Sequence, residues 1–338
     1  MQTRRQFLRV GWGLGVSSCF AFNAQAAASE AHTLVWQEKI LQGFGTTLRL
    51  RAGHHYEAQL QLALQEAVQT IRRIESLMSL FDDNSTLQQL NREGVVRQAD
   101  SDFHQVMSFS QHLSQRSQGA FDVSMQPLWG VWSQWAQQHA SQADAPLTPE
   151  WVRLIEQARQ LVNWRAVDIQ PQHIKLPPGM TVSLNGIAQG FASDKVKAVM
   201  QQHGIRHALL DTGETSMLGA SPQGAWRLGI ESVVPHAPTP VVRADGRAMA
   251  TSSQAHTSFS VDRRFHHILD PRTGYSPSHW ASVTVLAPSC TLADGLTKVF
   301  FMLTPQQVLP AARTWGVDVL LQHKTGSWLR TPGVSLVG

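Results

Sequence analysis

The sequence predicts an α+β fold, in which short paired strands are covered by helices, and three observations lead there. Several long stretches repeat apolar residues every three or four positions, as a helix with one buried face requires. Several short apolar runs end at Gly, Pro, Asn or Asp, as strands do. Two of these runs, Val167 to Ile169 and Ile174 to Leu176, face each other across a Pro-containing turn. The chain has 338 residues, enough for one long domain or two packed lobes around a large core.

The first segment is read as an address. Thr3-Arg4-Arg5-Gln6-Phe7-Leu8-Arg9 precedes a mildly apolar stretch from Val10 to Phe22, too short and too rich in Gly and Ser to span a bilayer. Paired arginines before Phe-Leu form a twin-arginine export signal, and Ala24-Gln25-Ala26 is a cleavage site. Residues 1–26 are therefore expected to be a signal peptide and 27–338 a mature periplasmic domain without a transmembrane segment. Val16-Ser17-Ser18-Cys19 resembles a lipoprotein signal less well, because apolar residues continue past Cys19, so a lipid anchor there is the weaker reading. Losing Arg4, Arg5 and Arg9 takes three charges from the formal +4 and leaves +1. The basic balance thus belongs to export and gives no support for a nucleic-acid partner. Cys290 is the one cysteine of the mature segment, which excludes an internal disulfide.

The elements follow in order. Phe44 to Leu50 reads as a strand. Leu60, Leu64, Ala67, Ile71, Ile74 and Leu77 make the apolar face of a long helix, which ends at the polar turn Met78 to Ser85. Phe103 to Gln118 is a helix closed by Gly119. Trp129, Trp132 and Trp135 lie on one side of another, a packing stripe more than a cofactor box. Gln137 to Pro149 is a polar loop, and Thr148 with Pro149 starts a helix that runs to about Leu161. Thr181 to Leu184 reads as a strand ended by Asn185-Gly186, and Phe191 to His203 as a helix. Ala208 to Leu210 is a buried strand, Pro235 to Pro240 a linker, Trp280 to Ala287 a strand, and Leu292 to Leu303 an apolar helix.

Three constellations carry chemistry. His266-His267-Ile268-Leu269-Asp270-Pro271-Arg272-Thr273-Gly274 puts two imidazoles, a carboxylate and a guanidinium on a short strand that Pro and Gly then turn. Alternation on a strand sends one ring inward and the other to a cleft. Asp270 then either orients an imidazole, ligates a metal or caps a hairpin, and Arg272 either pairs with it or clamps phosphate. Ser183 to Phe191 is strand, glycine turn and helix start, either an anion site or an ordinary tight connection. Asp294 near a helix start, with Thr297 and Lys298 one turn on, is either a metal carboxylate or a capping residue with a lysine pair. The turns Gly119-Ala120-Phe121-Asp122 and Thr251-Ser252-Ser253 offer small donors to a ligand.

Taken in order, these segments resemble the ApbE family of FAD:protein FMN transferases. The matching elements are Gly43 to Thr47, Met78-Ser79 with Ser85 through Asn91, Gly119 to Ser124 with Pro127-Leu128, Gly186 to Phe191, Thr251-Ser252, His267 through Gly274, and Ala293-Asp294. The resemblance implies a two-lobed fold of mixed or antiparallel sheets covered by helices, with an FAD cleft between the lobes. It implies FAD as substrate and Mg2+ as cofactor. FMN passes to a Thr or Ser hydroxyl of an exported or membrane acceptor protein, forming a phosphoester and releasing AMP. A subunit of a membrane electron-transfer complex is the partner it suggests. On the same basis His267, Asp270 and Arg272 are catalytic. Met78, Ser79, Gly119, Phe121, Asp122, Gly186, Ala188, Gln189, Gly190, Thr251, Ser252 and His267 meet the cofactor. Asp294, Thr297 and a backbone carbonyl of the Gly186 turn hold the metal.

The chain departs from the family pattern at three places. Gln189 stands where lysine is common. Asp211-Thr212-Gly213-Glu214-Thr215 replaces an Asn-Ala-Gly-Gly-Asp run and resembles a branch associated with nitrous-oxide reduction systems. Lys298 takes the position of the family threonine, while Thr297 comes one residue early, a rotation of about 100° on a helix. These departures keep two alternatives in view: a non-catalytic FAD-binding protein, and an FAD pyrophosphatase that yields FMN and AMP.

Overall fold

The computed structural model describes residues 33–139 and 145–337. The expected signal peptide at 1–26, its twin arginines and Cys19 lie outside these residues.

The chain runs β1 (Val35–Gly43), β2 (Thr46–His54), α1 (Glu57–Met78), α2 (Thr86–Glu93), β3 (Val95–Arg97), α3 (Ser101–Arg116), α4 (Gln126–His139) and α5 (Pro149–Gln160). It continues with β4 (Asp168–Gln170), β5 (His173–Lys175), α6 (Ala188–Gln202), β6 (His207–Asp211), β7 (Thr215–Leu218), β8 (Arg227–Gly229) and β9 (Val241–Arg243). The last elements are β10 (Ala248–Ser253), β11 (Trp280–Ala287), α7 (Cys290–Phe301), α8 (Pro305–Trp315), β12 (Asp318–His323) and β13 (Trp328–Arg330). Eight strands form one antiparallel sheet in the order β1-β2-β6-β7-β10-β11-β12-β13. Helices α1, α6 and α7 pack beside it and one another, making one lobe. The other lobe combines α2 to α5 with a small sheet ordered β3-β5-β4. Among the described residues no helix is long and apolar enough to cross a membrane.

β11 shows why the sheet needs cover on both faces. All eight of its residues are buried. Val283, Val285 and Ala287 join the core under the helices, while Leu286 joins a second cluster with Trp226, Leu228 and Met249. α1 buries Leu60, Leu64, Ala67, Ile71 and Ile74, as its periodicity requires. The tryptophan stripe of α4 is packing: Trp132 and Trp135 are buried among Phe259, Phe265 and Leu269.

Several sequence expectations change. Phe44 is not in a strand, because Phe44 and Gly45 (φ 49° and 72°) form the two-residue turn between β1 and β2. Thr181 to Leu184 is extended without a strand partner. Asn91 of α2 takes that partner's place, accepting from the Val182 N–H at 2.7 Å and donating to its carbonyl at 2.9 Å. α6 begins three residues early, which puts Gln189 and Gly190 in its first turn. α4 runs on through His139, whose ring stacks on Trp135.

The segment His266 to Gly274 is not a strand: it makes one isolated β-bridge, Ser258 to His266, and turns from Pro271. Pro271 has no N–H for a ladder, and the Asp270 carbonyl instead accepts from Gly274 at 2.8 Å. The two histidines differ in burial without strand alternation to separate them. His266 is fully buried beside Phe301 of α7, while His267 is half-buried.

Gly190 sets how closely α6 and α7 approach. A Cβ there would collide with the Cys290 carbonyl and lie 2.7 Å from the Asp294 Cβ. Gly190→Ala should destabilise the fold by about 1–3 kcal/mol, read from urea unfolding. An unchanged midpoint would mean that the helices can part freely. A pH effect should also appear at His266. Burial, and after it the Lys324 charge, pushes the imidazole from its ordinary 6.5 down to about 4. A depressed folded pKa means stability that is present above about 6.5 and lost as the pH falls through about 4. Between pH 7 and pH 4.5 the wild type should lose roughly 2–3 kcal/mol relative to His266→Phe. Parallel pH profiles for the two proteins would contradict this origin.

Candidate functional site at the crossing of two helices

The site grows from the way α7 is fixed to α6. Ser289 caps α7 by accepting from the Leu292 N–H. Asp194 of α6 accepts from the N–H groups of Cys290 and Thr291, each at 2.8 Å, and from the Thr291 hydroxyl at 2.6 Å. A carboxylate at the positive end of a helix satisfies donors that have no partner within it. The register this sets carries Asp294 into the interior, where it is 1% exposed.

A carboxylate that deep must be compensated. One Asp294 oxygen accepts from the Gly190 N–H at 3.0 Å. The other meets the Lys298 ammonium at 2.5 Å, and the same ammonium donates to the Asp294 main-chain carbonyl at 3.1 Å. The lysine stem passes Gly186, with Cε 3.3 Å from where a Cβ would sit. The Phe121 ring lies on the same side of Gly186. Helix α7 therefore meets the glycine turn and the Gly119 to Asp122 turn at one place.

The polar surroundings are built from short loops. Thr212 donates to the Gln189 carbonyl at 3.1 Å, and the Gly213 backbone presses on the Gln189 amide. Gly213 (φ 96°) leaves no room there for a side chain. The Gln189 side-chain nitrogen is buried without a hydrogen-bond partner in this loop. Burial raises the nearby Asp211 carboxyl to about 6. Glu214 accepts from the Thr251 N–H at 2.8 Å, tying this loop to β10. Ser252, the next residue, shares a hydrogen bond of 2.8 Å with Thr297. Asp122 is buried, and burial raises its pKa although it accepts from Ser124 and Trp164. It holds its own turn together.

A cavity of about 470 Å³ opens beside the glycine turn, with Phe81, Trp129 and Asn185 in its lining. Gln88, Asn91, Gln126, Thr181 and Asn185 supply amides and a hydroxyl to its wall. Met78 lies outside this lining and is buried in the core, and the Ser79 hydroxyl accepts from the Phe81 N–H. Phe81 and the amides were missed in the sequence, although Phe81, an aromatic inside a run of Ser and Asp, was a readable signal.

The histidine segment comes in from the other lobe. Trp132 of α4 donates to the Gly274 carbonyl at 2.8 Å and so holds the end of the segment. His267 Nδ1 lies 2.8 Å from the Thr257 carbonyl, which makes Nδ1 the protonated nitrogen. Asp270 does not orient this ring. Its carboxylate accepts from Arg272 Nε at 2.9 Å and from an Arg272 terminal nitrogen at 2.8 Å. The pairing raises the Arg272 pKa, and this ion pair closes the Asp-Pro turn. Ser252 and Thr257 are five residues apart, so the α7 contact and the His267 contact are tied by at most about 18 Å of chain.

A hard divalent cation takes several oxygen ligands. Both Asp294 oxygens are engaged, and the Thr297 hydroxyl is turned to Ser252 and to the Asp294 carbonyl. Among the described residues no three His, Cys, Asp or Glu side chains gather as a metal set. The expected magnesium ligands Asp294, Thr297 and Gly186 are adjacent, yet they do not fit the ion while Lys298 is seated.

Comparison with known proteins agrees with this architecture. The chain is 26% identical to the FAD:protein FMN transferase of Haemophilus influenzae over 289 residues, covering 80% of this chain and 81% of that one. It is 27% identical to the Treponema pallidum protein of the same name, covering 92% and 91%. The flavin transferase ApbE structure from Vibrio cholerae superposes with a TM-score of 0.75 at 22% identity, covering 89% of this chain and 98% of that one. The ApbE protein of Thermotoga maritima gives 0.77 at 22% identity, covering 88% and 97%. Likeness at that identity establishes the fold. The ApbE family model matches residues 44–321, which takes in both lobes and the site between them, and the chain belongs to the ApbE family.

Proposed function

We propose that this protein moves FMN from FAD to a Thr or Ser hydroxyl of an acceptor protein. The observation that carries this reading is the meeting of the α6 start, the buried Asp294–Lys298 pair and the Gly119 to Asp122 turn at Gly186. A helix N-terminus and a fixed ammonium at one point favour a pyrophosphate. The neighbouring cavity, with aromatic faces and amide edges, suits the planar flavin ring.

In the reaction the acceptor oxygen attacks the FMN-side phosphorus. A phosphoester forms, the bond to the AMP phosphate breaks, and AMP leaves. With Nδ1–H held by the Thr257 carbonyl, His267 Nε2 is the basic nitrogen and takes the hydroxyl proton. Lys298 and the N–H groups at the α6 start offset charge on the phosphate oxygens. Asp270 and Arg272 act through the turn that presents His267. Thr251, Ser252 and Gln189 line the site as cofactor contacts. The twin-arginine signal read from the sequence supports a periplasmic reaction, with a membrane electron-transfer subunit as the natural acceptor.

Incubating the purified protein with FAD and a Thr-containing acceptor, then weighing the acceptor by mass spectrometry, tests the reading. Covalent FMN is expected, and His267→Ala should reduce its rate by about 10²–10⁴-fold while leaving FAD binding intact. Free FMN and AMP would instead make the protein a pyrophosphatase. FAD recovered unchanged would make it a flavin-binding protein.

A further inference from the structure

We propose that the Lys298 ammonium is the resident cation of this site, doing permanently what a divalent metal would otherwise do. The protein then binds FAD, and acts on it, without a metal. The inference rests on the transfer reading only for the identity of the anion, and its geometry stands apart from it.

The Asp294 carboxylate is buried and each of its oxygens already accepts a hydrogen bond, one from Gly190 N–H and the other from Lys298 at 2.5 Å. An ammonium has three N–H donors. Two are used on Asp294, on its carboxylate and on its main-chain carbonyl. The third remains for a ligand, on a side chain that is 21% exposed and whose stem lies against Gly186. The cation is thus anchored from behind by a carboxylate that solvent does not reach, while the stem that carries it lies against the turn before α6. A long lysine is ordinarily mobile, but this one is held at two points before any ligand arrives. Preorganised charge of this kind favours an anion without reorganisation when it binds.

A divalent ion and this ammonium exclude each other. Both would sit against the Asp294 carboxylate, and two positive charges within about 4 Å repel strongly where water is scarce. The Thr297 hydroxyl is already bound to Ser252 and to the Asp294 carbonyl, which turns its proton away from the carboxylate. Sequence position therefore has a direct chemical consequence. With lysine four residues after the aspartate, the ion pair closes within one helical turn.

Mn2+, followed by loss of its free-ion electron paramagnetic resonance signal, serves as the metal probe, and flavin fluorescence reads FAD binding. The wild type should bind no Mn2+ at sub-millimolar concentration, and EDTA should leave its FAD affinity unchanged. Lys298→Thr frees Asp294 and should acquire a Mn2+ site, with FAD affinity now falling about tenfold or more on adding EDTA. Lys298→Met should lose FAD affinity by a similar factor and gain no metal site. Circular dichroism confirms that both variants fold. Stoichiometric Mn2+ binding by the wild type, or loss of its FAD affinity in EDTA, overturns the proposal. So does unchanged FAD affinity in Lys298→Met. None of these readouts uses an acceptor, so failure to form covalent FMN would sink the transfer reading and leave this one standing.

Discussion

A carboxylate buried at 1% exposure dominates this molecule, and much of the site follows from how Asp294 is neutralised. An ionised group placed that deep is tolerated only with donors at both oxygens. One donor is the backbone of Gly190, which requires α6 to approach α7 so closely that no side chain fits between them. The other is Lys298, one turn along the same helix. Helix spacing, glycine placement and charge location are therefore one constraint seen from three sides.

The remaining elements bring ligand-facing groups to that crossing. Asp194 sets the register of α7 from α6, so the helix that carries Asp294 cannot slide without uncovering two N–H donors. β10 extends the arrangement: Thr251 is tied to Glu214 and Ser252 to Thr297, and the chain then continues to Thr257, which holds His267. From the second lobe Trp132 fixes Gly274, so a core tryptophan positions the turn that follows the histidine. Packing residues and chemical residues are thus coupled through single hydrogen bonds rather than through a continuous strand.

The buried titratable groups pull in opposite directions. Burial favours the neutral form of His266 and also the neutral forms of Asp211 and Asp122. The neutral imidazole becomes costly as the pH falls, whereas the neutral carboxyls become costly as it rises. His267 is instead half-buried and held through Nδ1 by the Thr257 carbonyl. Neighbouring histidines consequently serve different ends, one packed against Phe301 and the other presented.

The sequence by itself determined the long helices, the strand Trp280 to Ala287 and the ordered motifs of the family, because periodic burial and short turn signals are local properties. It also marked Asp294, Gly190 and Lys298 as residues of interest. It could not show that Asn91 would stand in for a strand partner, or that Phe44 would turn a hairpin, because both depend on contacts with other segments. Nor could it choose between the roles open to Asp270, which pairs with Arg272 and leaves His267 to a carbonyl ten residues upstream. Only the tertiary structure decided which oxygen each donor reaches. Spacing on a helix fixes direction to within a turn, whereas a cation site is defined at hydrogen-bond length.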